Sequence, residues 1–190
     1  MKKESFRRSF LWATELQKKK QGTWCRWRVS KTVKGRMTMR HRSLALVVRN
    51  RKILMIHTYR FQRYIYELPG GGIEGGETPE EAAVRELWEE CGLVGTVVRP
   101  LNVLHRSNGN REYVFFVDVS ADQEPMVGYD PEIEAGGEQA IKAVCWKELS
   151  ELSEKDRAFL WSYGLMDVEG FREVVLGWGD EVSYPKGESI

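Results

Sequence analysis

Of the seven glutamates between Gly71 and Gly92, four, Glu77, Glu86, Glu89 and Glu90, stand with the one arginine, Arg85, in and just before a stretch with the periodicity of a helix. Glu86 and Glu90 are one helical turn apart, and Glu89 lies three residues beyond Glu86. In a helix this brings three carboxylates within ~5–6 Å of one another at their β-carbons. Like charges at that spacing repel, so helix stability alone does not explain them. Two readings are open: a solvated acidic face, or a set of hard oxygen ligands. The second would suit Mg²⁺ or Mn²⁺, cations that keep several waters and bridge to substrate phosphates.

The elements that must position these acids are legible on either side. Thr78-Pro79-Glu80-Glu81 reads as a helix start: Thr78 accepts from the N–H of Glu81, Glu81 reaches back to the N–H of Thr78, and Pro79 sits where its missing donor costs nothing. Gly92 after Cys91 is the expected stop, so the helix spans about Thr78 to Cys91. Ala83, Leu87 and Cys91, joined by Val84 and Trp88, form an apolar stripe that should pack on a sheet, with the acids on the other side. Ahead of the helix, Leu68-Pro69-Gly70-Gly71-Gly72-Ile73-Glu74-Gly75-Gly76 joins a strand end to a loop almost free of β-carbons. Such a loop is either a set of tight turns or a place where backbone approaches a diphosphate or a metal closely.

Written as a pattern the segment is G-x5-E-x7-R-E-U-x-E-E-x-G-U, with U aliphatic, filled by Gly71, Glu77, Arg85, Glu86, Leu87, Glu89, Glu90, Gly92 and Leu93. It resembles the signature of the Nudix hydrolases. The resemblance implies an α/β Nudix fold, a mixed β-sheet sandwiched between α-helices, over roughly residues 41–165. It decides the acidic face in favour of ligands: Glu86, Glu89 and Glu90 with the Gly71 carbonyl as the metal set, Mg²⁺ as cofactor with Mn²⁺ as substitute, and Glu89 and Glu90 counted as catalytic. Glu77 and Arg85 resemble an orienting ion pair that supports the site. The implied general base is a glutamate in the loop before the strand ending in Trp146: Glu138 first, Glu134 second, with Glu132 in the same loop. Acids that merely keep a glycine-containing loop soluble are the alternative.

The reaction implied is cleavage of a diphosphate bond in a nucleoside diphosphate linked to another moiety. Tyr59, Arg60 and Arg63 precede a strand expected at Tyr64–Leu68 and are candidates for stacking a base or pairing with phosphate. The proline that marks ADP-ribose-preferring members is missing, since Ser107-Asn108-Gly109 occupies its place and Pro100 comes too early. The tyrosine of the dinucleoside polyphosphate group is not at 109–111, and Tyr113 falls slightly late. MutT-like hydrolysis of (d)NTPs is the leading reading by elimination, and ADP-ribose or ADP-sugar hydrolysis is the alternative. A non-catalytic nucleotide-sensing module is the alternative of another class, although none of the signature acids is eroded.

The 190 residues suit one domain with appendages; 42% are hydrophobic and 30% charged. No apolar run approaches the ~18–20 residues that cross a bilayer. Cys25, Cys91 and Cys145 are odd in number and form no C-x-x-C, which points away from a disulfide scaffold or structural zinc and toward a reducing cytoplasm. The net charge of +1 conceals an asymmetry, since residues 1–36 hold twelve Lys or Arg against Glu4 and Glu15. The expected organisation is a basic arm over 1–38, a Nudix domain over 39–168 and a tail over 169–190. The arm, with Trp12, Trp24 and Trp27, is open to several readings: a disordered segment, sequence upstream of a true start at Met37 or Met39, an organellar presequence, or a nucleic-acid contact. A nucleotide small molecule is the expected partner, with a homodimer left open and no membrane.

Further strands are predicted at Ser43–Val48, hairpinned through Asn50-Arg51 to Lys52–His57, then at Thr96–Leu104, Arg111–Val119 and Ile141–Trp146. Asn108-Gly109 reads as a two-residue turn. A helix should start at Ser153 and reach about Leu165. Beyond Gly170, Val174-Val175-Leu176 and Val182-Ser183-Tyr184 read as one or two short strands or a partner-binding tail.

Overall fold

A computed structural model describes residues 40–60, 62–128 and 140–176. Its elements in chain order are β1 (Arg42–Leu46), β2 (Val48–Arg49), β3 (Lys52–Arg60), β4 (Arg63–Glu67), β5 (Gly70–Gly72), α1 (Pro79–Cys91), β6 (Gly95–His105), β7 (Arg111–Val119), β8 (Ile141–Lys147), α2 (Glu154–Ser162) and α3 (Phe171–Leu176), with short 3₁₀ turns at Leu149–Glu151 and Leu165–Asp167. They form two sheets. One runs β5-β1-β7-β6 and is mixed, because β1 lies parallel to β7 while the other pairs are antiparallel. In the other, β3 pairs antiparallel with β2, β4 and β8.

Alternation along the strands builds two cores. Ala45, Val47, Leu54, Ile56, Phe115 and Val117 meet Ala83, Leu87 and Cys91 of α1. Leu44, Leu46, Ile53, Met55 and Val114 meet Leu149, Leu152, Leu160, Leu165 and Phe171 of the C-terminal elements. Each fully buried Leu or Ile in these clusters contributes roughly 1.5–3 kcal/mol. Helices thus cover the strands on both sides, the α/β Nudix arrangement expected from the sequence.

Several local expectations change. The first strand does not run unbroken from Ser43 into a hairpin. It divides at Val47, and only β2 turns back onto β3, through Asn50 and Arg51 at φ 52° and 62°. A turn with two left-handed residues matches strand twist, and it fixes only the short pair beyond the break. Gly70–Gly72 is a strand rather than a loop, antiparallel to β1; tertiary pairing overrides glycine's poor strand propensity. The turn after β6 has five residues, Arg106–Asn110, closed by the N–H of Arg106 donating to the carbonyl of Asn110. The helix begun at Ser153 ends at Ser162.

Beyond Gly170 the chain forms α3, a helix and not a strand, with Phe171 only 1% exposed in the second core. Its Val174-Val175-Leu176 run has β-branched residues but no partner strand among the described residues, and the anchoring of Phe171 sets it instead. Val182–Tyr184 lies outside the described residues.

Candidate metal centre

The first task of the local sequence is to fix α1. Thr78 and Glu81 form the reciprocal cap, with Glu81 N–H to Thr78 Oγ1 at 3.2 Å and Thr78 N–H to Glu81 Oε2 at 2.8 Å. Gly92, at φ 69°, ends the helix by donating to the carbonyl of Trp88. The buried face holds Ala82, Ala83, Leu87 and Cys91, while Val84 and Trp88 are half-buried at its margin. Ala82 therefore joins the stripe in their place, and the start of the helix is tied to β1 by the Ser43 hydroxyl, which donates to the Pro79 carbonyl at 2.6 Å.

Arg85 is also on the buried side, and its guanidinium organises the centre. Nε and Nη2 grip the two oxygens of Glu77 at 3.1 and 2.7 Å. Nη2 also donates to the Gly72 carbonyl at 2.8 Å, and Nη1 donates to Glu86 Oε1 and Glu89 Oε2, both at 2.9 Å. Five donors in a fixed fork thus meet five acceptors from the glycine strand, the loop and the helix. Burial works against the Glu77 charge, yet the Arg85 hydrogen bond and the Glu74 N–H hold its carboxyl below the usual carboxylate range. Burial likewise opposes the Arg85 charge, and Glu77 and Glu86 outweigh it.

Gly71 lies against Glu86: a β-carbon on Gly71 would stand 2.3 Å from Glu86 Oε1. Only glycine allows the strand backbone this close to the carboxylate. Glu90 Oε2 accepts from the Gly70 N–H at 2.8 Å. Its carboxyl is pushed up to about 8 by burial and by the adjacent Glu86, with Glu67 adding to the effect and Arg42 opposing it. Burial raises Glu86 as well, against the pull of Arg85.

Among the described residues no three His, Cys, Asp or Glu side chains already surround one point as a metal centre. The chemistry of the donor set nevertheless fits a divalent cation. Glu86 and Glu89 share one guanidinium that Glu77 also engages, Glu90 is held by the Gly70 N–H beside Glu86, and burial drives Glu86 and Glu90 toward their neutral forms. A hard cation would relieve that repulsion, and the bare backbone at Gly71 leaves room beside Glu86.

Two further groups escape sequence reasoning. Glu67 reaches the site electrostatically from β4 and accepts from the Thr58 hydroxyl at 2.9 Å. Arg42 donates from Nη2 to the Gly70 carbonyl at 3.0 Å, and its buried Nε has no hydrogen-bond partner in the structure. Neither carries a spacing signal; β1 and β4 bring them in through pairing alone.

The three base-contact candidates divide between two faces. The register sets Tyr59 opposite Tyr64 and Arg60 opposite Arg63. Alternation then puts Arg63 on the side of Ile65 and Glu67, and Tyr59 with Tyr64 on the reverse. Glu132, Glu134 and Glu138 lie outside the described residues. The chain entering that loop is tethered to the end of α1, where Met126 and Gly128 N–H groups donate to the Cys91 and Glu90 carbonyls, both at 2.9 Å. A β-carbon on Gly128 would strike the Glu89 carbonyl oxygen at 1.6 Å.

Comparison with known proteins agrees with this architecture. The NUDIX domain family model matches residues 39–167, and the chain belongs to the Nudix family. Diphosphoinositol polyphosphate phosphohydrolase 3-alpha of Mus musculus is 39% identical over 75 residues, 38% of this chain and 44% of that protein. An RNA pyrophosphohydrolase of Mannheimia succiniciproducens is 42% identical over 57 residues, 30% of this chain and 29% of that protein. The chain thus spans less than half the length of these curated relatives. A MutT NUDIX hydrolase from Burkholderia pseudomallei has a TM-score of 0.52 at 26% identity, covering 66% of this chain and 98% of that one. The E. coli ORF135 protein, with a TM-score of 0.53 at 22% identity over 70% of this chain and 93% of that one, is alike in fold.

Proposed function

We propose that this chain is a metal-dependent pyrophosphohydrolase that cleaves a diphosphate bond in a nucleotide, with (d)NTPs as the substrate class. The observation that carries the reading is the Arg85 hub, which holds Glu77, Glu86, Glu89 and the glycine strand in one cluster whose acids outnumber its cations. Glu86, Glu89, Glu90 and the Gly71 carbonyl would hold Mg²⁺, or Mn²⁺ in its place. When bound, the ion supplies charge neutralisation for the diphosphate and a lowered pKa for attacking water.

In this reading Glu77 and Arg85 keep the glycine strand and helix in register, and neither touches substrate. Arg42, whose charge opposes the rise of both the Glu86 and Glu90 carboxyls, offers a cation to a phosphate oxygen, and Arg63 does so from the Glu67 side. Glu138 is the proposed base, with Glu134 as the second choice. A second reading draws on the names of two relatives. One is named an RNA pyrophosphohydrolase and the other a diphosphoinositol polyphosphate phosphohydrolase, so RNA or a diphosphoinositol polyphosphate is the alternative substrate class.

The test is a screen with Mg²⁺ and with Mn²⁺ across dNTPs, oxidised dNTPs, ADP-ribose, NADH, sugar nucleotides, dinucleoside polyphosphates and 5′-triphosphorylated RNA, with products resolved by chromatography. Release of nucleoside monophosphate from a dNTP is the expected result. Turnover of ADP-ribose or of RNA ends alone would replace the substrate class, and no turnover of any compound would leave a nucleotide-sensing module instead.

A further inference from the structure

The end of α1 is the part of the metal centre that its own sequence holds least. Thr78, Glu81 and Arg85 fix the start and the middle of the helix, but its last turn carries Glu89 and Glu90 and no basic residue. The final carbonyls of a helix lack intrahelical partners and carry a partial negative charge, so two carboxylates there add repulsion. Gly92 closes the carbonyl of Trp88. Donors for the carbonyls of Glu90 and Cys91 come from elsewhere in the chain.

They come from the connection that leaves β7. Its residues 120–128 form neither helix nor strand, yet hydrogen bonds fix them at both ends. At the far end the Met126 and Gly128 N–H groups take the Cys91 and Glu90 carbonyls. Met126 also lies against Gly92, where a β-carbon would stand 2.6 Å from its Cγ. At the near end Gln123 grips the backbone of Val94, just beyond the helix. Its Oε1 accepts from the Val94 N–H at 2.8 Å, and its Nε2 donates to the Val94 carbonyl at 3.0 Å. Arg49 of β2 holds Gln123 in turn, donating from Nη2 to the carbonyls of Ser120 and Gln123 at 2.9 and 2.8 Å. The Arg49 guanidinium lies 4.7 Å from the Trp146 ring of β8, so this pin is anchored in the sheet built around β3.

We infer that residues 120–128 are a strap that sets the last turn of α1, and that Arg49 and Gln123, acting through it, are positioning residues for Glu89 and Glu90. This rests on Glu89 and Glu90 being metal ligands. Helix ends open at little cost, and a loosened strap lets the ligand turn open further. Metal binding must then re-form the turn, so affinity falls by the fraction of chains in which the turn is set.

The test compares the full-length wild type with Gln123→Met and Arg49→Met by amide hydrogen exchange and by Mn²⁺ affinity, read from the paramagnetic resonance of free Mn²⁺. Gln123→Met removes both bonds to Val94 at nearly constant side-chain length. Exchange at residues 89–92 should quicken roughly tenfold, since each bond lost is worth a factor of a few, while the first turn of α1 keeps its wild-type rates. Mn²⁺ should bind at least about threefold more weakly. Arg49→Met should act in the same direction, and Arg49→Lys, which keeps a donor for the two carbonyls, should fall between it and wild type. Phe171→Ala, destabilised in the other core, should leave Mn²⁺ affinity at the wild-type value. Unchanged Mn²⁺ affinity in both Met variants would overturn the inference, as would faster exchange spread evenly along α1. It would also fall if Phe171→Ala weakened Mn²⁺ as much as Gln123→Met, because general stability would then account for the effect. A wild type that binds no Mn²⁺ would remove the ligand reading itself, and the role of Arg49 and Gln123 with it.

Discussion

Replacing Arg85 by Met keeps much of the buried stem and removes the guanidinium with its five hydrogen bonds. The Glu77 carboxylate and the Gly72 carbonyl lose their arginine donors, while Glu86 and Glu89 lose the cation between them. Breaking a buried ion pair by removing one partner costs about 3–5 kcal/mol. The Arg85 and Glu77 side chains are 10% and 15% exposed, and the Glu74 N–H still reaches Glu77 at 2.7 Å, so the lower end, about 3 kcal/mol, applies. For a chain of this size that lowers the melting temperature by roughly 6–12 °C. The pH dependence has a definite sign. Because Glu77 titrates below its ordinary 4.5, the pair's contribution is fully present above that value and is lost as pH falls through the lowered folded value. The gap between wild type and Arg85→Met is therefore widest near neutrality and closes in acid. Arg85→Lys should recover less than half, since one ammonium cannot match the fork. Urea denaturation from pH 3 to 8 measures this. A loss below about 1 kcal/mol at pH 7, or a gap that does not narrow in acid, would refute the hub as the support of the site.

Three other outcomes follow from the same geometry. Gly71→Ala puts a methyl against the Glu86 carboxylate, so turnover should fall at least about tenfold while circular dichroism stays native; an active Gly71→Ala enzyme would count against the close approach. Phe171→Ala should cost about 3–5 kcal/mol in denaturant unfolding, because the ring is 1% exposed; a loss under 1 kcal/mol would return α3 to the status of a dispensable tail. A chain beginning at Met39 should fold and keep its catalytic rate, since every residue assigned to chemistry follows position 41 and the first described strand begins at Arg42. Precipitation or loss of turnover would show that the basic arm belongs to the fold, with Trp24 and Trp27 as the suspects.

The helix and its ends were readable from the sequence because caps are local: Thr78, Glu81 and Gly92 satisfy backbone groups within a few residues of themselves. Hydrophobic alternation likewise exposed β3, β6, β7 and β8. What stayed hidden depends on partners distant in the chain. Gly70–Gly72 becomes a strand only because β1 lies beside it, and the Val47 break follows from β1 joining one sheet and β2 the other. Glu86, Glu89 and Glu90 could be placed on one side of a helix from spacing alone. That Arg85 reaches two of them and the Gly72 carbonyl, and that Arg42 and Glu67 stand nearby, required the sheets to be assembled. The division of Tyr59 from Arg63 is a matter of strand register, which an eight-residue basic and aromatic stretch does not reveal until its pairing is known.

The central claim is that the α1 carboxylates act with a divalent ion to hydrolyse a diphosphate. It is tested most directly by the turnover of Glu90→Gln beside wild type on the best substrate, at saturating Mg²⁺. The exchange preserves size and helix propensity and leaves an oxygen to accept from Gly70 N–H, so folding should persist. Loss of one ligand charge is expected to lower kcat by two or more orders of magnitude. Retention of more than about a third of wild-type turnover would contradict the claim and return these acids to a solvated helix face.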